Sequence, residues 1–181
     1  VEQQFENLNV IHLCCVTHIL NLGVHVGLQK IASEVKKARA FSSKLHNSSL
    51  LLDDMKKIVR SLEENFKMPE IDVPTHWNSI YLMLQRFEKI KTMTDVLVAR
   101  HPNLQDNYLT YAEHDILKDT IEILQPINDA TELLSGSSYL TIGDVHIVMM
   151  SLLAHLDINS VKNVNSQVEV ASAIKAKLEV Y

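Results

Sequence analysis

Cys15-Val16-Thr17-His18 sets a thiol and an imidazole three residues apart. On a helix this spacing puts both on one face, as two ligands of a zinc site would need. A closed structural site takes four ligands, and no second C-x-x-C or H-x-x-x-H pair follows; Cys14, His12 and His25 are awkwardly placed to complete one. The spacing therefore favours a buried thiol and a hydrogen-bonded imidazole where a strand passes into a helix, and no metal is expected. A Cys–His catalytic pair would need an orienting partner, and none can be identified.

Trp77, the single tryptophan, follows His76 and precedes Asn78 at the start of a helical pattern. An aromatic there can stack on an unpaired base. Its spacing to Ile80, Tyr81 and Leu84 equally makes it the first-turn anchor of a core-facing stripe. Lys36, Lys37, Arg39, Lys44, Lys56, Lys57 and Arg60 form the most basic stretch, either a phosphate-contacting face or a solvated helix surface. The adjacent acids Asp53-Asp54 and Glu63-Glu64 diverge by about 100° on a helix, so neither pair converges on one metal. There is no phosphate-binding glycine loop, no G-x-S-x-G and no H-E-x-x-H. No catalytic residue is expected within the chain, and no cofactor.

The elements that must position these residues are helical. Of 181 residues, four are glycine and four proline, where average usage would give roughly 20 together. That scarcity disfavours sandwiches, propellers and collagen-like rods. Apolar residues make up 46% and charged residues 22%, which suits one domain with a proper core. The net charge of −5 argues against a self-sufficient nucleic-acid module but permits a local DNA contact. Two adjacent cysteines cannot form an unstrained disulfide and suit a reducing compartment.

Residues 8 to 29 carry no formal charge over a membrane-spanning length, yet their asparagines, histidines, threonine and glutamine are too polar for hydrocarbon. No basic leader precedes them, so no membrane partner is expected. A chain that starts without methionine and ends within a helical pattern reads as a fragment.

Residues 8–15 (L-N-V-I-H-L-C-C) suit one buried strand. A helix follows from His18, with Val24, Leu28, Ile31 and Val35 on one stripe, and another runs from about Ser49 to Phe66. After a connector with two prolines, Thr75 reads as the N-cap of a helix carrying Trp77, Ile80, Tyr81, Leu84, Phe87 and Ile90, stopped by His101-Pro102-Asn103. Thr110-x-x-Glu113 opens a helix towards Leu134, bent or divided at Pro126. Thr141-x-x-Asp144 and Ser166-x-x-Glu169 open two more. The expectation is a mainly α fold of roughly six helices and at most one or two strands near the N-terminus.

The order of motifs carries a resemblance. I-H-L-C-C-V-T-H-I-L-N-L-G-V (11–24) resembles the C-x-x-H…L-N-L segment of hAT-superfamily DNA transposases. D-V-P-T-H-W-N-S-I-Y-L-M-L-Q-R (72–86) is similar to their T-R-W-N-S segment, and L-Q-P-I-N-D-A-T-E-L-L-S-G-S-S-Y-L-T-I-G (124–143) to their later L-x-P-F…T-x-x-L-S…P-T segment. The resemblance implies a partial ribonuclease-H-like transposase domain over 1–181, with a core strand and C-x-x-H helix in 1–47 and helical insertion in 48–181. It places the family's metal-holding acids, which would bind Mg²⁺ or Mn²⁺, outside this chain, together with its BED-type zinc finger and dimerisation segment.

Cys15, His18 and Asn21 match the C-x-x-H pair and its following Asn, and Trp77 matches a Trp that packs near the transposon end. The family's usual Arg is His76 here, which loses a permanent guanidinium. Leu140 replaces a usual Pro, and Ile127 a usual Phe. The implied role is structural support and DNA contact in a longer nuclear protein, with Trp77, His76, Lys36, Lys37 and Arg39 as the contact candidates. The alternative is a helical protein-interaction module without DNA binding.

Overall fold

The structure, a computed structural model, describes residues 15–63, 68, 71, 76–136, 141–161 and 165–180. Eight α-helices and two short 3₁₀ segments make up the regular structure of the described residues, and no strand occurs among them. The expected strand at 8–15 lies outside them except for Cys15. The helices are α1 (Val16–Leu28), α2 (Ala32–Asn47), α3 (Ser49–Ser61), α4 (Trp77–Lys89), α5 (Lys91–Arg100), α6 (Tyr111–Gly136), α7 (Ile142–Ser160) and α8 (Asn165–Leu178).

Two stretches that the apolar stripe presents as single helices are each divided. A 3₁₀ segment at Gln29–Ile31 separates α1 from α2, although Val24, Leu28, Ile31 and Val35 are all buried as the stripe requires. Ile90 separates α4 from α5 without a glycine or proline. The two parts have different partners there: α4 packs on α6 and α2, whereas α5 packs on α3. Tertiary packing decides such a break, and local sequence does not signal it.

The local caps agree better. At the start of α6, Thr110 Oγ1 accepts from the Glu113 amide at 3.3 Å, and Glu113 Oε2 accepts from the Thr110 amide at 2.8 Å. Thr141 and Asp144 make the same reciprocal box on α7. Ser48 caps α3 by accepting from the Leu51 amide at 3.3 Å. Helix α8 begins at Asn165, so Ser166, expected to open it as a capping residue, lies inside its first turn instead. Pro126 does not divide α6, which runs through it for 26 residues, or about 39 Å.

Helix α6 is the spine, in contact with α1, α2, α4, α7 and α8. On one side of it α1 packs antiparallel on α8, and α7 on α8. On the other side α2, α3, α4 and α5 gather around Phe41, Phe87 and Leu45. Phe41 meets Phe87 edge-on at 5.8 Å, and the buried His114 ring of α6 stacks on Phe87 at 5.7 Å. One continuous hydrophobic core spans all eight helices.

Candidate functional site

Three segments distant in sequence meet at one open-sided depression of about 550 Å³. Thr17, His18 and Asn21 of α1 form one wall, His76, Trp77 and Asn78 at the start of α4 a second, and Thr131, Glu132 and Ser135 of α6 a third. These are the segments that carried the resemblance in the sequence.

Side-chain amides hold the three walls together. The Trp77 amide, in the first turn of α4, donates to Asn21 Oδ1 at 3.4 Å. Asn21 thereby satisfies one of the amides a helix start leaves without an internal partner. Thr75, read as the N-cap, lies outside the described residues. His76 holds the cap position and makes no side-chain capping bond. Asn78 Nδ2 donates to Asn128 Oδ1 at 3.1 Å, and Asn128 Nδ2 donates to Glu132 Oε1 at 2.9 Å. Asn21 was legible from its motif; the Asn78–Asn128–Glu132 chain was not.

Trp77 is a core residue at the base of this depression. Only 1% of it is exposed, and its ring lies 6.2 Å from that of Tyr81, tilted by 51°. A base could stack on the indole only after the start of α4 moved. The surroundings are acidic. Burial, followed by the charge of Asp129, pushes the Tyr81 hydroxyl above its ordinary range. Glu132 lines the depression, and among the described residues no Lys or Arg does.

The expected buried thiol is instead exposed. Cys15 sits at the N-cap of α1, with Sγ 3.1 Å from Thr17 Oγ1. The Thr17 hydroxyl and the backbone of His18 lower its pKa by bonding to the thiolate. His18 is exposed as well, so the pair faces water rather than the core. Among the described residues, no three His, Cys, Asp or Glu side chains gather as a metal would require.

The basic candidates lie elsewhere. Lys37 Nζ bonds Glu113 Oε1 at 2.6 Å, tying α2 to the first turn of α6. Glu113 and Glu132 are nineteen residues apart on α6, roughly 28 Å along its axis. The structure thus separates Lys37, with its neighbours Lys36 and Arg39 on α2, from Trp77 and His76. Together α2 and α3 carry seven Lys or Arg against three Asp or Glu. Lys36, Lys44, Lys56, Lys57 and Arg60 are exposed there. Lys56 and Lys57 also pair with Asp53 and Asp54 at 3.6 and 2.8 Å.

A helical body held together by these three motif segments defines the class: the helical region of a ribonuclease-H-like protein. The chain belongs to the family described as the ZBED1 RNase-like helical domain, whose model matches residues 13–123. It is of hAT transposase descent. A maize (Zea mays) protein described as a putative AC transposase is 33% identical over 132 residues, covering 72% of this chain and 16% of the relative. A putative AC9 transposase, also of maize, is 36% identical over 75 residues, covering 41% of this chain and 9% of that protein. A putative transcriptional regulator of the fungus Talaromyces stipitatus is 26% identical over 175 residues, covering 82% of this chain and 20% of the relative. The chain therefore spans at most a fifth of the curated relatives it matches. No solved structure matches it significantly. Among the described residues, no helix is long and apolar enough to cross a membrane.

Proposed function

We propose that this chain is the helical scaffold of a longer nuclear DNA-binding protein of transposase descent, and that it contacts DNA without cleaving it. The observation that carries the reading is the separation of charge. The α2–α3 pair is basic in a chain whose overall charge is −5, and five of its cations are exposed. Phosphate contacts need a clustered basic face rather than a basic whole.

Within this reading Trp77, His76 and Asn21 are a joint that sets α1, α4 and α6 relative to one another. Phosphate contact falls to Lys36, Lys37 and Arg39 with the neighbouring cations of α3. The names of the maize relatives support a DNA-handling parent, and that of the fungal relative supports a nuclear one. The division at residues 47 and 48 into core-strand and insertion segments belongs to the same proposal, as does the absence of catalysis and of a bound metal.

A duplex-DNA titration at several salt concentrations tests the contact. Binding should weaken steeply as salt rises; failure to bind even at low salt would leave a purely protein-binding module. Incubation with a transposon end and Mg²⁺ or Mn²⁺ tests the second part, and strand cleavage by this chain alone would overturn it.

A further inference from the structure

A second cavity, of about 420 Å³, lies where α5, the 3₁₀ segment Pro102–Asn107 and the start of α6 meet. Tyr111 and His114 form its wall on α6, and His114 stands seventeen residues before Thr131. Roughly 25 Å along the helix therefore separates it from the depression beside Trp77. The volume falls within the roughly 300–1,000 Å³ of small-ligand sites. Val98 and Leu109, both buried, give the cavity an apolar lining. Tyr108 is a half-buried aromatic wall, and the exposed Tyr111 stands at the rim. Among the described residues one carboxylate lines it, that of Asp95, and no Lys or Arg does.

The surroundings of Asp95 favour positive charge. Its Oδ1 accepts from the Tyr108 hydroxyl at 2.7 Å and its Oδ2 from Lys91 Nζ at 2.9 Å. The Lys91 ammonium also stands 5.0 Å from the centre of the Tyr111 ring, within the roughly 6 Å over which an aromatic face attracts a cation. The bond to Asp95 raises the Lys91 pKa against the opposing effect of burial, and the charges of Asp95 and Glu88 add to it. Burial, joined by the bond to Asp95 and the charges of Asp95 and Glu88, pushes the Tyr108 hydroxyl well above its ordinary range. Both shifts have the same meaning: a cation is stabilised beside Asp95 and an anion is not.

The chain's own Lys91 thus shows what kind of group Asp95 and Tyr111 hold. Both Asp95 oxygens already accept a bond, so a ligand is attracted through its charge and needs no N–H donor. An apolar lining and an aromatic face favour a cation with little water to lose. We infer that the cavity binds an alkylated ammonium group. The group lies against the Asp95 carboxylate and the Tyr111 ring in competition with Lys91, with its alkyl substituents on Val98, Leu109 and the Tyr108 ring. Free choline-type molecules and methylated lysine side chains share this chemistry. The cavity stands apart from the α2–α3 face and binds its cation whether or not that face contacts DNA.

Choline, and a neutral isostere in which carbon replaces its nitrogen, are titrated into the whole chain and followed by the NMR amide signals of Asp95, Val98, Leu109 and Tyr111. Choline should shift these signals saturably, and the isostere should bind about tenfold or more weakly. Asp95→Asn should lose about tenfold or more of the choline affinity while keeping the wild-type helical circular-dichroism signal. Tyr111→Ala alters an exposed side chain and should weaken choline binding by about threefold or more, which keeps the test open if Asp95→Asn unfolds. Lys91→Met removes the competing ammonium and should bind choline about threefold or more tightly than the parent. Equal affinity for choline and the isostere, no saturable shift at these residues, or choline binding unchanged or weakened in Lys91→Met would overturn the inference. Trimethyllysine amide, titrated beside choline, distinguishes the sources: tighter binding of the amide assigns the site to a side chain, tighter binding of choline assigns it to a free molecule, and either upholds the cation site.

Discussion

Gly27 of α1 lies directly against Ile174 of α8. A Cβ at Gly27 would stand 2.5 Å from Ile174 Cγ1 and 3.3 Å from the Val170 carbonyl oxygen. One turn earlier, a Cβ at Gly23 would meet Leu178 Cδ2 at 2.8 Å. The two glycines four residues apart let α1 and α8 approach more closely than any side chain would permit.

The pair separates two effects of a Gly→Ala change. Alanine gains about 1 kcal/mol of helix propensity over glycine. Overpacking costs about 1–3 kcal/mol where the neighbours cannot give way. At Gly27 the obstruction includes the branched Ile174 and main chain, so Gly27→Ala should lower stability and drop Tm by a few degrees. At Gly23 it is the end of a flexible leucine, and Gly23→Ala should be close to neutral. Thermal melts of the two variants provide the check; a higher Tm for Gly27→Ala would rule out the close packing.

Asn21 offers a second contrast. Asn21→Ala removes the acceptor for the Trp77 amide and should cost about 0.5–1 kcal/mol. Asn21→Asp keeps the acceptor and adds a negative charge at a helix start, where the dipole favours it. It should be at least as stable as the parent at neutral pH. Chemical denaturation of both distinguishes a structural joint from a DNA-reading residue, since neither change should alter DNA affinity in the folded protein.

What could be read from sequence follows from how far each interaction reaches. The boxes Thr110–Glu113 and Thr141–Asp144 form within one turn, so the spacing alone announced them. The stripe Trp77, Ile80, Tyr81, Leu84 and Phe87 is periodic, and every member is buried. The breaks at Gln29–Ile31 and Ile90 depend on which helix lies opposite, and the apolar period continues through both. Asn21 bonds a residue 56 positions away, and Gly27 meets Ile174 across most of the chain. Neither neighbour could be chosen without the fold, although the G-x-x-x-G spacing of Gly23 and Gly27 was there to be read as a close-packing signal.

The Lys37–Glu113 pair predicts a response to acid. Burial works against the Glu113 charge, but bonds from Lys37 and from the Thr110 amide and hydroxyl outweigh it and hold the carboxyl below its ordinary value of 4.5. A carboxyl depressed on folding stabilises the native state above its unfolded pKa, and that contribution disappears as pH falls through the folded value. Glu113→Gln retains a capping side chain but loses the ion pair. It should be less stable than the parent at pH 7, by on the order of 1 kcal/mol, and the two should converge in melts taken well below pH 4.5. A constant difference across that range would place the effect elsewhere.

The basic face makes a quantitative claim. If Lys36, Lys44 and Arg60 each neutralise one phosphate, replacing all three by Gln should reduce the slope of log affinity against log salt by roughly 2.7. His76→Gln, at the depression, should leave that slope unchanged. A change for His76→Gln and none for the triple variant would move the DNA contact to the depression between α1, α4 and α6.

Trp77 then decides whether base stacking takes place at all. It is the single tryptophan, so emission excited at wavelengths that the five tyrosines do not absorb reports on its ring alone. An enclosed indole should emit at short wavelength and resist quenching by acrylamide. Under the α2–α3 reading, saturating duplex or single-stranded DNA leaves both properties unchanged, because the phosphates are held far from the ring. Stacking of a base would require the start of α4 to move, and it would quench the emission as DNA is added. Trp77→Ala cannot serve as the test, since removing so large a core side chain costs about 3–5 kcal/mol and loss of folding would mimic loss of binding. Emission of the unaltered chain, followed through a DNA titration, avoids that ambiguity; saturable quenching would show that the indole leaves its core position to meet a base.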